Sequence, residues 1–390
     1  MARLNFRPLP GFVFRDQELA RIARVVAQGR SVLLVGIRNT GKTQLMKAAL
    51  TRHAEQGAPH DAAYLDVQTL TALDAFYREL LAALPKPLLA RAVALLKTLG
   101  QIPEVLLQWL RRHVDEVEAL DVKVNLTDPD PEPRQLVRYW EPLLAALERV
   151  VIDSPPQTLP LLGIDELPFM LENLLSHGTS VADITVMLAG LRKLRAAGLR
   201  MIIGGSISME NLLTLHGIPH TVLSQLWREE TPPFTADEAR RFLERELSGS
   251  AAQQHVAQVL ERLPDHVPSF LDIAANMLAV AEVRAPADVD WVMAHQVLPH
   301  IRGAFLQQFD ERLNRHFSDG ELAVAEDLLD QVARQPLAGG PIDSRGLPPE
   351  WRRVLTKLQY DMFLRDAPEL GWRFTLNLLR QWWRASRGMT

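Results

Sequence analysis

The sequence predicts an α/β fold built on a parallel sheet, and three observations carry that prediction. Short apolar, β-favouring runs at Ser31 to Val35, Ala62 to Val67, Leu159 to Ile164 and Leu199 to Ile203 are separated by helical stretches. Strands buried on both faces and joined by crossover helices have this pattern. A glycine-bounded loop, Gly36 to Thr43, lies between the first run and a helical stretch from Gln44 to Leu50, and the third run ends in two carboxylates, Asp165 and Glu166.

Element by element, Leu19, Ile22, Ala23 and Val26 recur at helical spacing from Asp16, and the pattern stops at Gly29, a common residue just past a helix end. The second and third strands are separated by an insertion from about 85 to 150. Leu88, Ala92, Leu95, Leu96 and Leu99 form one apolar stripe in it, and Val105, Leu106, Trp109 and Leu110 a second. Asp121 to Thr127 then alternates like a half-exposed strand, and the stiff run Asp128-Pro129-Asp130-Pro131-Glu132-Pro133 reads as a linker. After Pro232-Pro233 the chain turns helical through Met277, and a third region begins near Pro299. It holds helices at Glu321 to Val332 and Pro349 to Tyr360 and a hairpin across Pro368-Glu369-Leu370-Gly371, as a winged helix requires. The expected domains are 1–235, 236–299 and 300–390.

Composition sets the outer limits. A length of 390 residues suggests two or three domains, and 47% hydrophobic with 23% charged residues is ordinary for a folded chain. Lys and Arg number 43 against 47 Asp and Glu, so any contact with nucleic acid is local. With no cysteine there is no disulfide, thiolate metal site or cysteine nucleophile, which fits a reducing compartment and makes the cytoplasm the expected location. The most lipid-like stretch, Pro87 to Trp109, is cut by Arg91, Lys97 and Glu104, and Arg3 and Arg7 precede no apolar run, so neither a membrane span nor a secretory signal is expected.

Gly36-Ile37-Arg38-Asn39-Thr40-Gly41-Lys42-Thr43 fits GxxxxGK[ST] between a strand and a helix. Its glycines let backbone N–H groups wrap phosphates at a helix N-terminus that Gln44 continues. Lys42 would reach the β- and γ-phosphates of ATP, and the Thr43 hydroxyl would ligate Mg²⁺. Asp165 would hold the metal through water, and Glu166 would polarise the attacking water. Ser206, after Gly204-Gly205, becomes a γ-phosphate sensor if its strand neighbours the phosphate loop; an ordinary glycine turn is the competing reading.

The order of Phe14-Arg15-Asp16-Gln17-Glu18-Leu19, Gly36 to Thr43, Leu161 to Glu166, Gly204 to Ser208 and Pro232 to Ala239 resembles that of the archaeal ATPase family, STAND-like members of the AAA+ P-loop ATPases. The resemblance implies a P-loop NTPase core, a helical lid and a C-terminal winged helix. It also implies that Arg15 lies near the adenine, that Pro268 packs on the base, and that Arg228 stands where related initiator ATPases carry an arginine finger. A structural salt bridge is the other reading of Arg228.

From Arg345 to Thr390 nine basic residues face four acidic ones. Arg352, Arg353 and Lys357 on the second helix of this module would then meet DNA phosphates. Two functions follow: an ATP-driven switch controlling assembly or partner capture, with a homo-oligomer and an unidentified protein partner both compatible, or a DNA-acting ATPase of the initiator or loader type.

Overall fold

The computed structural model describes residues 14–55, 62–99, 133–205, 208–263, 265–281, 283 and 285–389. The chain packs into two units: Lys42–Glu230 together with the chain up to Val35, and Thr231–Thr390 together with Gly36–Gly41.

The first unit is a five-stranded sheet. Strands β1 (Ser31–Val35), β2 (Ala62–Asp66), β3 (Leu161–Asp165), β4 (Arg200–Gly204) and β5 (Leu226–Glu230) run in the order β2-β3-β4-β1-β5, every pairing parallel. Side chains alternate across it. Val32, Leu34, Leu161 and Ile202 enter a core with Ile22 of α1 (Asp16–Ala27) and Met46 of α2 (Lys42–Glu55). Leu33, Leu162, Ile164 and Ile203 enter another on the opposite face. That core also takes in α3 (Leu73–Ala82), α4 (Lys86–Thr98), α5 (Pro133–Ile152), α6 (Leu167–Ser176) and α7 (Val181–Ala197). Each fully buried Leu, Ile or Met is worth roughly 1.5–3 kcal/mol, so the two-sided covering accounts for the unbroken apolar reading of β1, β3 and β4.

The first stripe of the insertion is α4, whose Leu88, Ala92 and Leu96 are buried. It packs on α5, where Trp140 stacks on Tyr77 with ring centroids 4.4 Å apart. The second stripe and the strand expected at Asp121 to Thr127 lie outside the described residues.

β5 was not among the expected strands. Leu-Trp-Arg-Glu-Glu has no apolar run because β5 is an edge strand with one partner, β1, and edges carry charge. Arg228 therefore sits inside the sheet and not in a connector.

The second unit opens with α9 (Ala236–Glu246), following the short α8 (Met209–Leu215) of the first. Thr235 and Glu238 cap it reciprocally. α10 (Val256–Arg262) and α11 (Pro268–Val280) follow. From Pro286 to His316 the backbone stays helical through α12 (Pro286–Val292), α13 (Leu298–Ile301) and α14 (Gln307–His316), with π turns at Met293–Val297 and Arg302–Leu306. The boundary expected at 299/300 falls inside this run. Pro299 suggests a break, but π turns on either side let the helix carry a residue that has no amide hydrogen. An edge-on series Phe270–Phe305–Phe309–Phe363, with centroids 4.8, 5.2 and 5.1 Å apart, also crosses it.

The end of the chain is helix, helix, hairpin, helix: α15 (Asp319–Arg334), α16 (Trp351–Tyr360), the antiparallel pair β6 (Leu364–Ala367) and β7 (Gly371–Phe374), and α17 (Asn377–Ser386). Trp383 is buried, and its indole N–H donates to Asp330 at 2.8 Å. One expectation fails here. Lys357 does not face solvent: its ammonium is buried and donates to both Glu321 oxygens, at 3.0 and 2.9 Å, and to the His316 carbonyl at 3.3 Å. An amphipathic helix with this spacing puts its Lys357 position on the face toward α15, where a carboxylate awaits it.

Candidate functional site

The loop after β1 turns on residues that tolerate unusual backbone angles. Gly36 has φ +154, and a Cβ there would lie 2.8 Å from the Thr231 carbonyl oxygen. Asn39 and Gly41 also have positive φ, 70 and 87. Thr40 is fully buried and its hydroxyl donates to the Ile37 carbonyl at 2.8 Å, closing the turn. Ile37 is buried, Arg38 half-buried and Asn39 exposed. The loop delivers the chain to α2, a 14-residue helix that begins at Lys42 and whose first N–H groups form an anion-favouring terminus. Lys42 is 5% exposed; Gln44 lies in the same first turn, half-buried.

α2 lies close over the sheet because the sheet is thin beneath it. Gly204 on β4 has no side chain, and a Cβ there would come 2.9 Å from the Met46 methyl and 3.2 Å from an Asp165 oxygen. This closeness lets the start of α2 reach the end of β3. The Thr43 hydroxyl donates to Asp165 Oδ2 at 2.6 Å, and the Tyr64 hydroxyl from β2 donates to the same oxygen at 3.0 Å. Asp165 is 2% exposed. Burial pushes its carboxyl above the usual range, the neighbouring Glu166 adds to this, and the hydrogen bonds from Thr43 and Tyr64 pull the other way. Burial and the Asp165 charge push the Tyr64 phenol far up, so it is a neutral donor. Among the described residues no group of three or more His, Cys, Asp or Glu side chains could cage a metal. A hydroxyl and a carboxylate 2.6 Å apart instead form the sparse, all-oxygen set that suits Mg²⁺, which usually takes one or two protein ligands beside phosphates and water.

Glu166 follows in the left-handed region, φ 59 and ψ 30, as the cap of α6, and its amide donates to Asp165 Oδ1 at 3.1 Å. A non-glycine residue held there costs on the order of 1–2 kcal/mol, and such strain gathers at functional sites. The turn places two adjacent carboxylates differently: Asp165 buried, Glu166 partly exposed.

The other expected residues are distributed more widely. β4 does neighbour β1, the condition set for Ser206, but Ser206 itself lies outside the described residues. Arg15 is 1% exposed just before α1, its guanidinium 3.6 Å from Glu18, which also meets Arg21 at 3.6 Å; Arg21 in turn pairs with the buried Glu229 at 2.8 Å. Pro268 opens α11 in the other unit. Arg228 on β5 pairs with Glu210. Sequence reasoning missed Tyr64 and Asp66, which β2 brings alongside β3 with Asp66 in register with Asp165; the alternating Tyr-Leu-Asp at the end of that run was the available signal.

Along its whole length the chain is similar to the Walker-type ATPase PABY2304 of Pyrococcus abyssi, with 16% identity, a TM-score of 0.58 and coverage of 97% of this chain and 99% of that one. The chain has a P-loop NTPase fold. It is also similar to the Aeropyrum pernix ORC2 protein solved as ADPNP-ADP complexes, with 13% identity, a TM-score of 0.51 and coverage of 98% and 97%. No family model and no curated protein matches the chain. In a P-loop NTPase fold the β4 strand standing between β1 and β3 puts the phosphate loop and the carboxylate strand one strand apart, and this is how Thr43 meets Asp165.

Asp165→Asn separates function from stability. Because the folded state raises this carboxyl, the unliganded protein loses stability from it as pH rises from the unfolded to the folded value. The substitution is expected to weaken the magnesium requirement of nucleotide binding, read by a Mg²⁺ titration, while the melting temperature of the unliganded protein at pH 7 reports separately the relief of the buried charge and the loss of one of the two acceptor oxygens; unchanged Mg²⁺ dependence would make Asp165 a structural residue.

Proposed function

We propose that this chain binds and hydrolyses Mg·ATP at Gly36 to Thr43, and that nucleotide state controls the Thr231–Thr390 unit and through it assembly or partner capture. The observation that carries the reading is the Thr43–Asp165 hydrogen bond at the mouth of a GxxxxGKT loop. Lys42 supplies charge to the β- and γ-phosphates, and the amides of the loop and of α2 the remaining donors. Thr43 and Asp165 would hold Mg²⁺, which when bound neutralises phosphate charge. Glu166 orients and deprotonates the attacking water, a role its partly exposed, strained position supports. Arg15 and Pro268 are the candidate adenine contacts and Ser206 the γ-phosphate sensor. Arg228 as a finger on a neighbouring subunit has to give up Glu210 first.

The helix-helix-hairpin-helix ending supports a winged helix. Two of its cations are held by the fold, which favours the switch over DNA binding: Lys357 is buried on Glu321 and Arg384 donates to the Ala333 carbonyl at 2.9 Å, while Arg353 pairs with Glu321 at 2.7 Å and stays exposed. Hydrogen exchange over 231–390 and sedimentation, comparing the parent protein with ADP and with a non-hydrolysable ATP analogue, test the switch. A nucleotide-dependent change in protection or in mass is expected; identical exchange and identical mass with saturating nucleotide would contradict it.

A further inference from the structure

Asp165 is held from three directions, and one of them comes from outside the phosphate loop and its helix. Its Oδ2 accepts the Thr43 hydroxyl of α2 at 2.6 Å and the Tyr64 hydroxyl of β2 at 3.0 Å, and its Oδ1 accepts the Glu166 amide at 3.1 Å. An ionised carboxylate offers about four lone-pair sites, so these donors among the described residues leave roughly one, on Oδ1, for a further partner. Thr43 has a single hydroxyl hydrogen, and it is committed to Asp165; what the hydroxyl keeps for a metal is its lone pairs.

The sheet itself aims Tyr64. In the register of β2 with β3, Tyr64 stands beside Gly163 and Asp66 beside Asp165, and residues two apart on a strand share a face, so Tyr64, Gly163 and Asp165 lie on the same side. Gly163 puts no side chain between them: a Cβ there would come 2.7 Å from a Leu50 methyl and 2.9 Å from the Met46 sulfur, so α2 sits directly on that glycine. The half-buried Tyr64 ring packs against this α2-facing core, and its hydroxyl crosses to the next residue on that face of β3, Asp165. The Lys47 ammonium of α2 lies 4.4 Å from the ring centroid, an attractive contact that holds the ring in place. Asp66, opposite Asp165, is exposed, accepts the Gln68 amide at 3.2 Å and has no hydrogen to give when ionised.

We propose that Tyr64 is a positioning residue for metal-dependent nucleotide binding: its hydroxyl fixes Asp165 Oδ2, which keeps the Thr43 hydrogen on that oxygen and the Thr43 lone pairs available to Mg²⁺. This role presupposes Mg·ATP at Gly36 to Thr43. Tyr64 touches neither nucleotide nor metal in it, and acts only through Asp165.

The test reads the affinity of the full chain for a non-hydrolysable ATP analogue by calorimetry, in EDTA and across a Mg²⁺ series. Tyr64→Phe deletes the hydroxyl and keeps the ring beside Lys47. Its affinity in EDTA should stay within about twofold of the parent while the half-saturating Mg²⁺ rises about tenfold, the low end for hydrogen-bond partners of metal ligands. In an Asp165→Asn background the same substitution should change the half-saturating Mg²⁺ by less than about twofold, because residues that act as one unit are not additive. Unchanged Mg²⁺ dependence in Tyr64→Phe would overturn the role. So would an equal loss of affinity in EDTA, which would make Tyr64 a support of the loop, or a loss of about tenfold that persists without the Asp165 carboxylate. A parent that binds no analogue even in saturating Mg²⁺ would remove the Mg·ATP reading and this role with it, an outcome distinct from all those in which the parent binds.

Discussion

Replacing Glu166 with glutamine is expected to slow ATP hydrolysis by about 10²- to 10⁴-fold while Mg·ATP still binds. The amide has nearly the volume of the carboxylate and can still orient a water, but it cannot take the proton. The left-handed backbone at φ 59 is equally hard for either side chain, so the turn between β3 and α6 should survive the exchange. Single-turnover phosphate release, with nucleotide binding measured on the same sample, separates the two effects. Unchanged turnover would place the base elsewhere, with Asp66 at the end of β2 the nearest alternative carboxylate by register.

Glu321→Ala is expected to destabilise the second unit by about 3–5 kcal/mol, because it strands the buried Lys357 ammonium. The same change removes the reciprocal cap in which the Ser318 amide donates to Glu321 at 3.2 Å and takes the partner of Arg353. Burial alone would raise the Glu321 carboxyl, but hydrogen bonds from Lys357 and Ser318 and the charges of Lys357 and Arg353 outweigh it and hold the pKa below its ordinary value. Ionised Glu321 therefore stabilises the fold above its unfolded pKa, and that contribution is lost as pH falls through the depressed one. Urea unfolding followed by tryptophan fluorescence measures both effects. Adding Lys357→Met to Glu321→Ala should restore most of the loss, since a well-packed apolar pair replaces a buried ion pair at little cost. A double variant as unstable as the single one would mean that the cap, not the stranded charge, dominates.

The parts of the molecule legible in the sequence were those governed by local pattern. β1, β3 and β4 declare themselves because burial on both faces forces continuous apolar residues, and the phosphate loop declares itself because its backbone demands glycine at fixed positions. β5 was hidden because an edge strand obeys one partner and a charged surface, and its buried Glu229 takes its counter-charge from Arg21, 208 residues away. Tyr64 was missed for a similar reason: its hydroxyl matters because β2 pairs with β3, and pairing order is not written in either strand. Lys357 read as a surface cation because a charge count does not know which face of a helix meets a carboxylate. Pro299 read as a boundary because the π turns that carry a helix past it have no local signature.

The central claim is that Gly36 to Thr43 binds ATP with Lys42 on its phosphates. The most direct measurement is a calorimetric titration of Mg·ATP into the full chain and into Lys42→Ala, with circular dichroism confirming that both are folded. The predicted result is one saturable site in the parent and an affinity lowered by about a hundredfold or more in the variant, as expected when a charged donor to phosphate is removed. Equal affinity in the two proteins would contradict the account.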